Sequence, residues 1–192
     1  LIAKEKFRVA YDLFNSNDID WSGSARLNAF YAICVNVLFQ DNEKAIFFNE
    51  KACRLDPDNI QIRWNLALVQ LRSGRIKEGI ENYKVRFQWE KFPSPRRTFE
   101  VPKWSEDIDK SSKILIWTEQ GLADDLLFCT SLRDFKKDFP NLIFEHHNKT
   151  GDLMALAFPD IVCREAIFSP DLTPIYFDYD YHVPLADIYL RM

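Results

Sequence analysis

Over residues 26–40 the apolar side chains Leu27, Phe30, Tyr31, Cys34, Val35 and Leu38 recur three or four positions apart, the spacing of a helix that buries one face. A second run over 43–55 keeps this period until Pro57, which lacks the N–H that a further turn needs. The pattern then begins again. Trp64, Leu66, Ala67 and Leu71 mark a helix over 63–71, Gly74 marks a turn, and Gly79, Ile80 and Tyr83 set the inner face of a helix over 76–87. The two pairs are offset by about 34 residues, which predicts stacked helical hairpins. Small residues at Ala45, Ala52, Ala67 and Gly79 let antiparallel helices approach closely. Residues 4–15, with Phe7, Ala10, Tyr11, Leu13 and Phe14, predict one more amphipathic helix, expected to cap one end of the stack while the following domain caps the other.

The helical period fails between 88 and 112. Pro93, Pro95 and Pro102, with Arg96, Arg97 and Trp104, describe an extended connector, and Ser105-Glu106-Asp107-Ile108-Asp109 is turn-like. Phe87, Trp89, Phe92, Phe99 and Trp104 are too many aromatics for a linker loose in water, and they are expected to be buried between the helices and the domain that follows. Beyond the connector the pattern alternates. Strands are predicted over 113–117, 142–146, 161–167 and 176–183, and helices over 123–137, 151–158 and 185–190. The run Tyr176, Phe177, Tyr179, Tyr181, interleaved with Asp178 and Asp180, has the period of a half-buried strand. Strand–helix alternation of this kind predicts a parallel sheet. The expected fold is therefore α plus α/β: helical hairpins over 1–92, a connector over 93–112, and a partial Rossmann-like parallel sheet with flanking helices over 113–192.

Composition narrows the function classes. A hydrophobic fraction of 47% with 15% aromatics supplies a packed core, and a net charge of -4 argues against a general nucleic-acid binder. Charge is uneven: nine Lys/Arg stand against four Glu from Arg72 to Trp104, either a solvated face or a patch toward an anionic ligand. Cys34, Cys53, Cys129 and Cys163 are widely spaced among apolar neighbours and read as buried thiols in a reducing compartment. No apolar run approaches the roughly 20 residues of a membrane span, and no signal segment opens the chain, so the expected location is cytoplasmic. The chain opens on Leu1 and stops at Met192 within a helix-like run, and it is expected to be a piece of something longer.

The densest candidate chemistry lies where the apolar run Ile114-Leu115-Ile116-Trp117 breaks into Thr118-Glu119-Gln120-Gly121-Leu122-Ala123-Asp124-Asp125 and resumes as Leu126-Leu127-Phe128. A strand, a polar turn with one glycine and a helix start form the kind of junction at which open α/β sheets bind ligands, since N–H groups there lack partners. Asp124 near a helix start is explained by capping alone. It is equally a candidate general base, helped or replaced by Asp125. Gly121 by itself does not make a dinucleotide fingerprint. Glu145, His146 and His147 do not make a metal site, because neighbours on a strand point to opposite faces and no second cluster completes the set; no cofactor is expected.

Setting Pro57 at the end of one unit aligns residues 26–87 with a pair of tetratricopeptide repeats, with Asn49 where an aromatic is usual and Asn36 where a tyrosine is usual. The order of these repeats, Pro102-Lys103-Trp104, a strand, Glu119-Gln120-Gly121-Leu122-Ala123-Asp124, Phe158-Pro159 and Asp180-Tyr181-His182-Val183-Pro184-Leu185 resembles bacterial tetratricopeptide-containing glycosyltransferases, whose α/β part is similar to the heptosyltransferase-like, two-lobed GT-B family. Ala123 replaces the second glycine of that family's E-Q-G-x-G-D motif. The resemblance implies that Asp124 takes the proton of an acceptor hydroxyl and that Glu119, Gln120, Gly121, Asp125 and His182 belong to the acceptor or ligand loop, His182 alternatively to packing.

Two classes of function stay open at this point. In one, the chain is the amino-terminal part of a sugar transferase, its repeats holding a polypeptide through Asn36, Arg63 and Gln70 and its α/β lobe walling the acceptor side; a nucleotide sugar is the donor only if a second lobe exists. In the other it is a non-catalytic adaptor with a degenerate α/β domain.

Overall fold

In the computed structural model, which describes residues 2–16, 20–119, 121–167 and 174–189, helix α1 (Ile2–Phe14) precedes three helices whose starts are fixed by short polar side chains. Ser24 accepts from the Leu27 N–H at 3.3 Å, Asp41 from Lys44 at 3.0 Å and Asn59 from Ile62 at 3.2 Å. Each satisfies an orphan donor at the first turn of α2 (Ala25–Phe39), α3 (Asn42–Leu55) and α4 (Ile60–Arg72). Gln40, in the left-handed region at φ 56°, ends α2, and the chain turns straight into α3. Gly74, at φ 83°, turns α4 into α5 (Ile76–Tyr83).

Hairpin packing follows from the small residues. Ala32, Ala45, Ala52 and Ala67 are wholly buried, and a Cβ on Gly79 would stand 2.9 Å from the Leu71 backbone nitrogen. Helix α1 packs on α2 through rings: Tyr11 stacks on Tyr31 at 5.6 Å and Phe14 meets Tyr31 edge-on at 5.4 Å. The last helix is shorter than its apolar period implies. After Tyr83 the chain tightens into a 3-10 turn, Lys84–Gln88, that turns Arg86 inward, its guanidinium 4.9 Å over Tyr83 and 4.6 Å over Phe87.

The chain divides into two compact units, Leu1–Phe92 and Pro93–Met192. Each connector aromatic has ring partners within its own unit. Trp89 and Phe92 pack on Trp64 at 5.3 and 5.4 Å and Phe87 on Phe92, in the first; Phe99 stacks on His182 at 3.7 Å and Trp104 lies against Phe135 at 5.0 Å, in the second. Residues 93–112 are thus an integral part of the second unit. Pro102 and Trp104 exchange backbone hydrogen bonds with His182, adding a one-residue bridge beside the sheet.

That sheet holds β1 (Ile114–Trp117), β2 (Leu142–His146), β3 (Val162–Glu165) and β4 (Tyr181–Pro184), all parallel, in the order β3-β2-β1-β4. Strands β1 and β2 are buried along their whole length, which is why their sequences are continuous rather than alternating. The expected helix over 123–137 is interrupted: α6 (Leu122–Phe128) and α7 (Leu132–Asp138) are separated by a 3-10 turn at Cys129–Ser131. Thr130 and Ser131 hydroxyls donate to the carbonyls three residues back, at 2.8 and 2.7 Å, and compete with the regular ladder there. Helix α8 (Gly151–Ala157) joins β2 to β3, and α9 (Leu185–Ile188) follows β4 directly.

The strand expected over 176–183 is confined to Tyr181–Pro184. Residues 176–179 pair with no strand; Asp178 instead takes Arg164 in an ion pair at 2.9 and 3.1 Å, and the same guanidinium lies 4.3 Å over Tyr176.

Candidate functional site

The loops that leave the carboxyl ends of β1, β2 and β3 enclose a hollow of about 250 Å³ within the second unit. Thr118 and Glu119 come from the end of β1, His147 and Asn148 from the end of β2, and Glu165 from the end of β3; Arg97 closes one side. Parallel α/β sheets place their ligands at this end, where the loops converge.

The floor is held by Asp125. Its carboxylate is fully buried, accepts from the Thr118 hydroxyl and from the His147 N–H at 2.8 Å, and lies 3.3 Å from the Thr150 hydroxyl. It ties the ends of β1 and β2 to the first turn of α6. Asp125, expected to help or replace Asp124 as a base, has both oxygens engaged inside the unit. Arg97 is fixed as firmly: its Nη2 donates to Glu145 at 2.6 Å with both side chains almost wholly buried, and it lies 4.9 Å over Phe99 and 5.2 Å over Trp117. Burial pulls this guanidinium below its ordinary value while Glu145 opposes the fall, and an arginine stays charged throughout. Arg164 grips the other oxygen of Glu145 at 2.9 Å. Glu145 is therefore a counter-ion for two arginines, and among the described residues no group of three His, Cys, Asp or Glu converges as a metal site.

The predicted loop residues separate into distinct places. Glu119 lines the hollow and its Oε1 accepts from the Ala186 N–H at the start of α9, at 3.2 Å, so it spans the point where the strand order reverses. Gln120 lies outside the described residues. Gly121 precedes α6 in extended conformation, and a Cβ there would meet only Asp124 Oδ2 at 4.0 Å; packing inside the unit does not demand a glycine. Ala123 is exposed on the first turn of α6. Asp124 is half-buried, and its Oδ2 accepts the Gly121 N–H at 3.2 Å, while Oδ1 accepts no hydrogen bond among the described residues. Burial pushes its carboxyl above the ordinary value, with the charge of Asp125 adding to the rise and the Gly121 hydrogen bond opposing it.

His182 stands apart from the hollow. It sits in β4, stacked on Phe99, and its Nδ1 accepts from the Trp117 indole N–H at 3.2 Å. Burial, with Lys103 and Arg97 adding, pushes it down to about 4, so the ring is neutral near pH 7. These are packing contacts. Arg97, His147, Asn148 and Glu165 also line the hollow; sequence reasoning missed Asn148 and Glu165, and it weighed Arg97 and His147 only for the connector and for a metal site. His147 and Asn148 are the first two residues after the predicted strand over 142–146, a signal of position.

In the first unit, Asn36 and Arg72 meet at 2.6 Å beside a hollow of about 140 Å³ between α2, α3 and α4. Arg63 and Gln70 do not reach it. Being seven residues apart on α4 they share the stripe facing α5, where Asn82 accepts from Arg63 at 3.1 Å and donates to Gln70 at 2.8 Å. Asn65, Leu68 and Arg72 occupy the stripe that faces the hollow.

No model of a known protein family matches the chain, and no solved structure matches it. Protein FlbA of Caulobacter vibrioides is 34% identical over 79 residues, 40% of this chain. The match spans 13% of that protein's length. Among the described residues no helix is long and apolar enough to cross a membrane.

Proposed function

We propose that the chain is the acceptor-side part of a sugar transferase, with its helical hairpins holding a polypeptide and its parallel-sheet unit forming one wall of a sugar-transfer cleft. The observation that carries this reading is the hollow at the strand ends, walled by Arg97, His147, Asn148 and Glu165. Planar side chains that offer both donors and acceptors suit the hydroxyls of a sugar ring. The bare backbone at Gly121, which packing does not require, lets a ligand approach the turn closely.

In such a reaction an acceptor hydroxyl oxygen attacks the anomeric carbon, the nucleotide diphosphate leaves, and a carboxylate takes the hydroxyl proton. Asp124 is the group we assign to that proton. Its Oδ1 accepts no hydrogen bond among the described residues, and its raised proton affinity makes it a stronger base than an ordinary carboxylate. The nucleotide of the donor is bound by a second lobe in the two-lobed family that the sequence resembles. Incubated with a panel of nucleotide sugars, the 192-residue chain should therefore release no nucleotide above buffer. The protein encoded by the complete reading frame should turn over, and Asp124→Asn should abolish that turnover while leaving the fold intact. Turnover by the chain alone, or an unaffected Asp124→Asn enzyme, refutes the assignment.

The adaptor reading is favoured by one observation, the closure of Asp124 onto the Gly121 N–H as a helix cap. It predicts polypeptide binding with no nucleotide release from the complete protein.

A further inference from the structure

The hollow between α2, α3 and α4 owes its existence to two residues that differ from their counterparts in the next hairpin. Residues 34 positions apart are equivalent in the two hairpins by the sequence offset. Tyr83, buried against Trp64 at 4.9 Å, stands where the first hairpin has Asn49, and Leu66 stands where it has Ala32. The second hairpin thus carries a ring and a branched chain at positions where the first has smaller side chains, and the hollow of the first is floored by Ala32 and Ala45 and walled by Leu68 and Val69.

Asn49 lines this hollow with 3% of its surface exposed. Its amide nitrogen donates to the Ala45 carbonyl at 3.0 Å, which fixes the orientation of the side chain, and its Oδ1 is buried with no donor. A buried acceptor without a partner is costly and calls for a donor from elsewhere. Asn65 lines the same hollow with no hydrogen-bond partner among the described residues, so its amide hydrogens are available too.

We propose that this hollow is a socket for a tyrosine side chain of a bound polypeptide. The apolar floor and the place of the missing ring select an aromatic stem. The open acceptor on Asn49 selects a donor at its tip, and Asn65, with its whole amide open, can donate to a group that also accepts. A phenol hydroxyl does both, whereas an indole N–H only donates. Arg72 at the rim disfavours a cationic side chain, and a carboxylate has no hydrogen for Asn49.

The polypeptide source of the ring rests on the reading proposed above, and the socket itself is tested apart from it with p-cresol. Titrated into the 192-residue chain and followed by NMR, p-cresol should shift the side-chain amides of Asn49 and Asn65 with a Kd on the order of 1 mM, as its few heavy atoms allow. Toluene and 3-methylindole should bind at least about tenfold more weakly, and Asn49→Leu should weaken p-cresol by a similar factor. Asn49→Phe should fill the hollow and abolish p-cresol binding. Equal binding of p-cresol and toluene, tighter binding of 3-methylindole, or undiminished p-cresol binding to Asn49→Leu overturns the socket. If p-cresol binds but N-acetyl-tyrosine amide and tyrosine-bearing peptides do not, the socket stands and the polypeptide source falls.

Discussion

Replacing Asp125 by alanine should loosen the carboxyl ends of β1 and β2 whatever the ligand chemistry of the site. The Thr150 hydroxyl has one hydrogen and gives it to the His147 carbonyl at 2.7 Å, so its 3.3 Å contact with Asp125 counts for little. Two bonds remain, from the Thr118 hydroxyl and from the His147 N–H at 2.8 Å. Stripping the carboxylate leaves that partly buried N–H without its acceptor, at about 1–3 kcal/mol, while the Thr118 hydroxyl rotates at a cost of about 1 kcal/mol. Recovering the desolvation of a buried carboxylate offsets part of this, so that about 3 kcal/mol is the expected loss. For a unit of this size that lowers the melting temperature by about 15 °C. Asp125→Asn keeps one acceptor for His147 and lets its amide donate to Thr118, and should cost about 1 kcal/mol. Hydrogen exchange over residues 114–119 and 142–150 reads the effect in the second unit alone. Should Asp125→Ala melt within about 2 °C of the unmodified chain with unchanged exchange there, the carboxylate is not a strut and the reasoning fails.

Two further outcomes follow from close contacts. Gly79→Ala gains about 1 kcal/mol of helix propensity but drives a Cβ to 2.9 Å from the Leu71 backbone, so the hairpin should lose about 1–2 kcal/mol net; a rise in the melting temperature of the helical unit would contradict the contact. His182, ordinarily near 6.5 and held at about 4 in the folded chain, favours folding fully above pH 6.5 and loses that contribution as pH falls through 4. The gap corresponds to at most about 3 kcal/mol, and partial exposure of the ring reduces it to about 1.5 kcal/mol. His182→Phe, which keeps the stack on Phe99, should flatten the stability slope between those pH values; an unchanged slope would place the titration elsewhere.

Much of the architecture was legible because it rests on local signals. The apolar period and the stop at Pro57 are sequence-local, and the 34-residue offset exposes the hairpin pairing without any tertiary information, while the caps at Ser24, Asp41 and Asn59, which set the helix starts, were not read from it. The apolar runs of β1 and β2 likewise declare strands buried on both faces. What escaped was competition between local pattern and specific partners. Thr130 and Ser131 divert the carbonyls that would continue one long helix, and Arg164 engages Tyr176 and Asp178 where their alternation suggested a strand. Neither partner is visible in a periodicity.

At the candidate site the same competition acts between function and support. Chemistry-bearing residue types in the turn after β1 drew attention by their density, yet density cannot separate a carboxylate that faces a ligand from one that ties strands together. Burial separates them. Asp125 and Glu145 have every oxygen engaged by donors from other elements, so they set the positions of Thr118, His147, Arg97 and Arg164. The residues left facing the hollow are the ones these struts position, and they come from three strand ends far apart in sequence. A motif search over consecutive residues is blind to them. Reading the first one or two residues after each predicted parallel strand recovers Thr118, Glu119, His147 and Asn148 together, because the sheet, rather than the loop motif, brings them to one place.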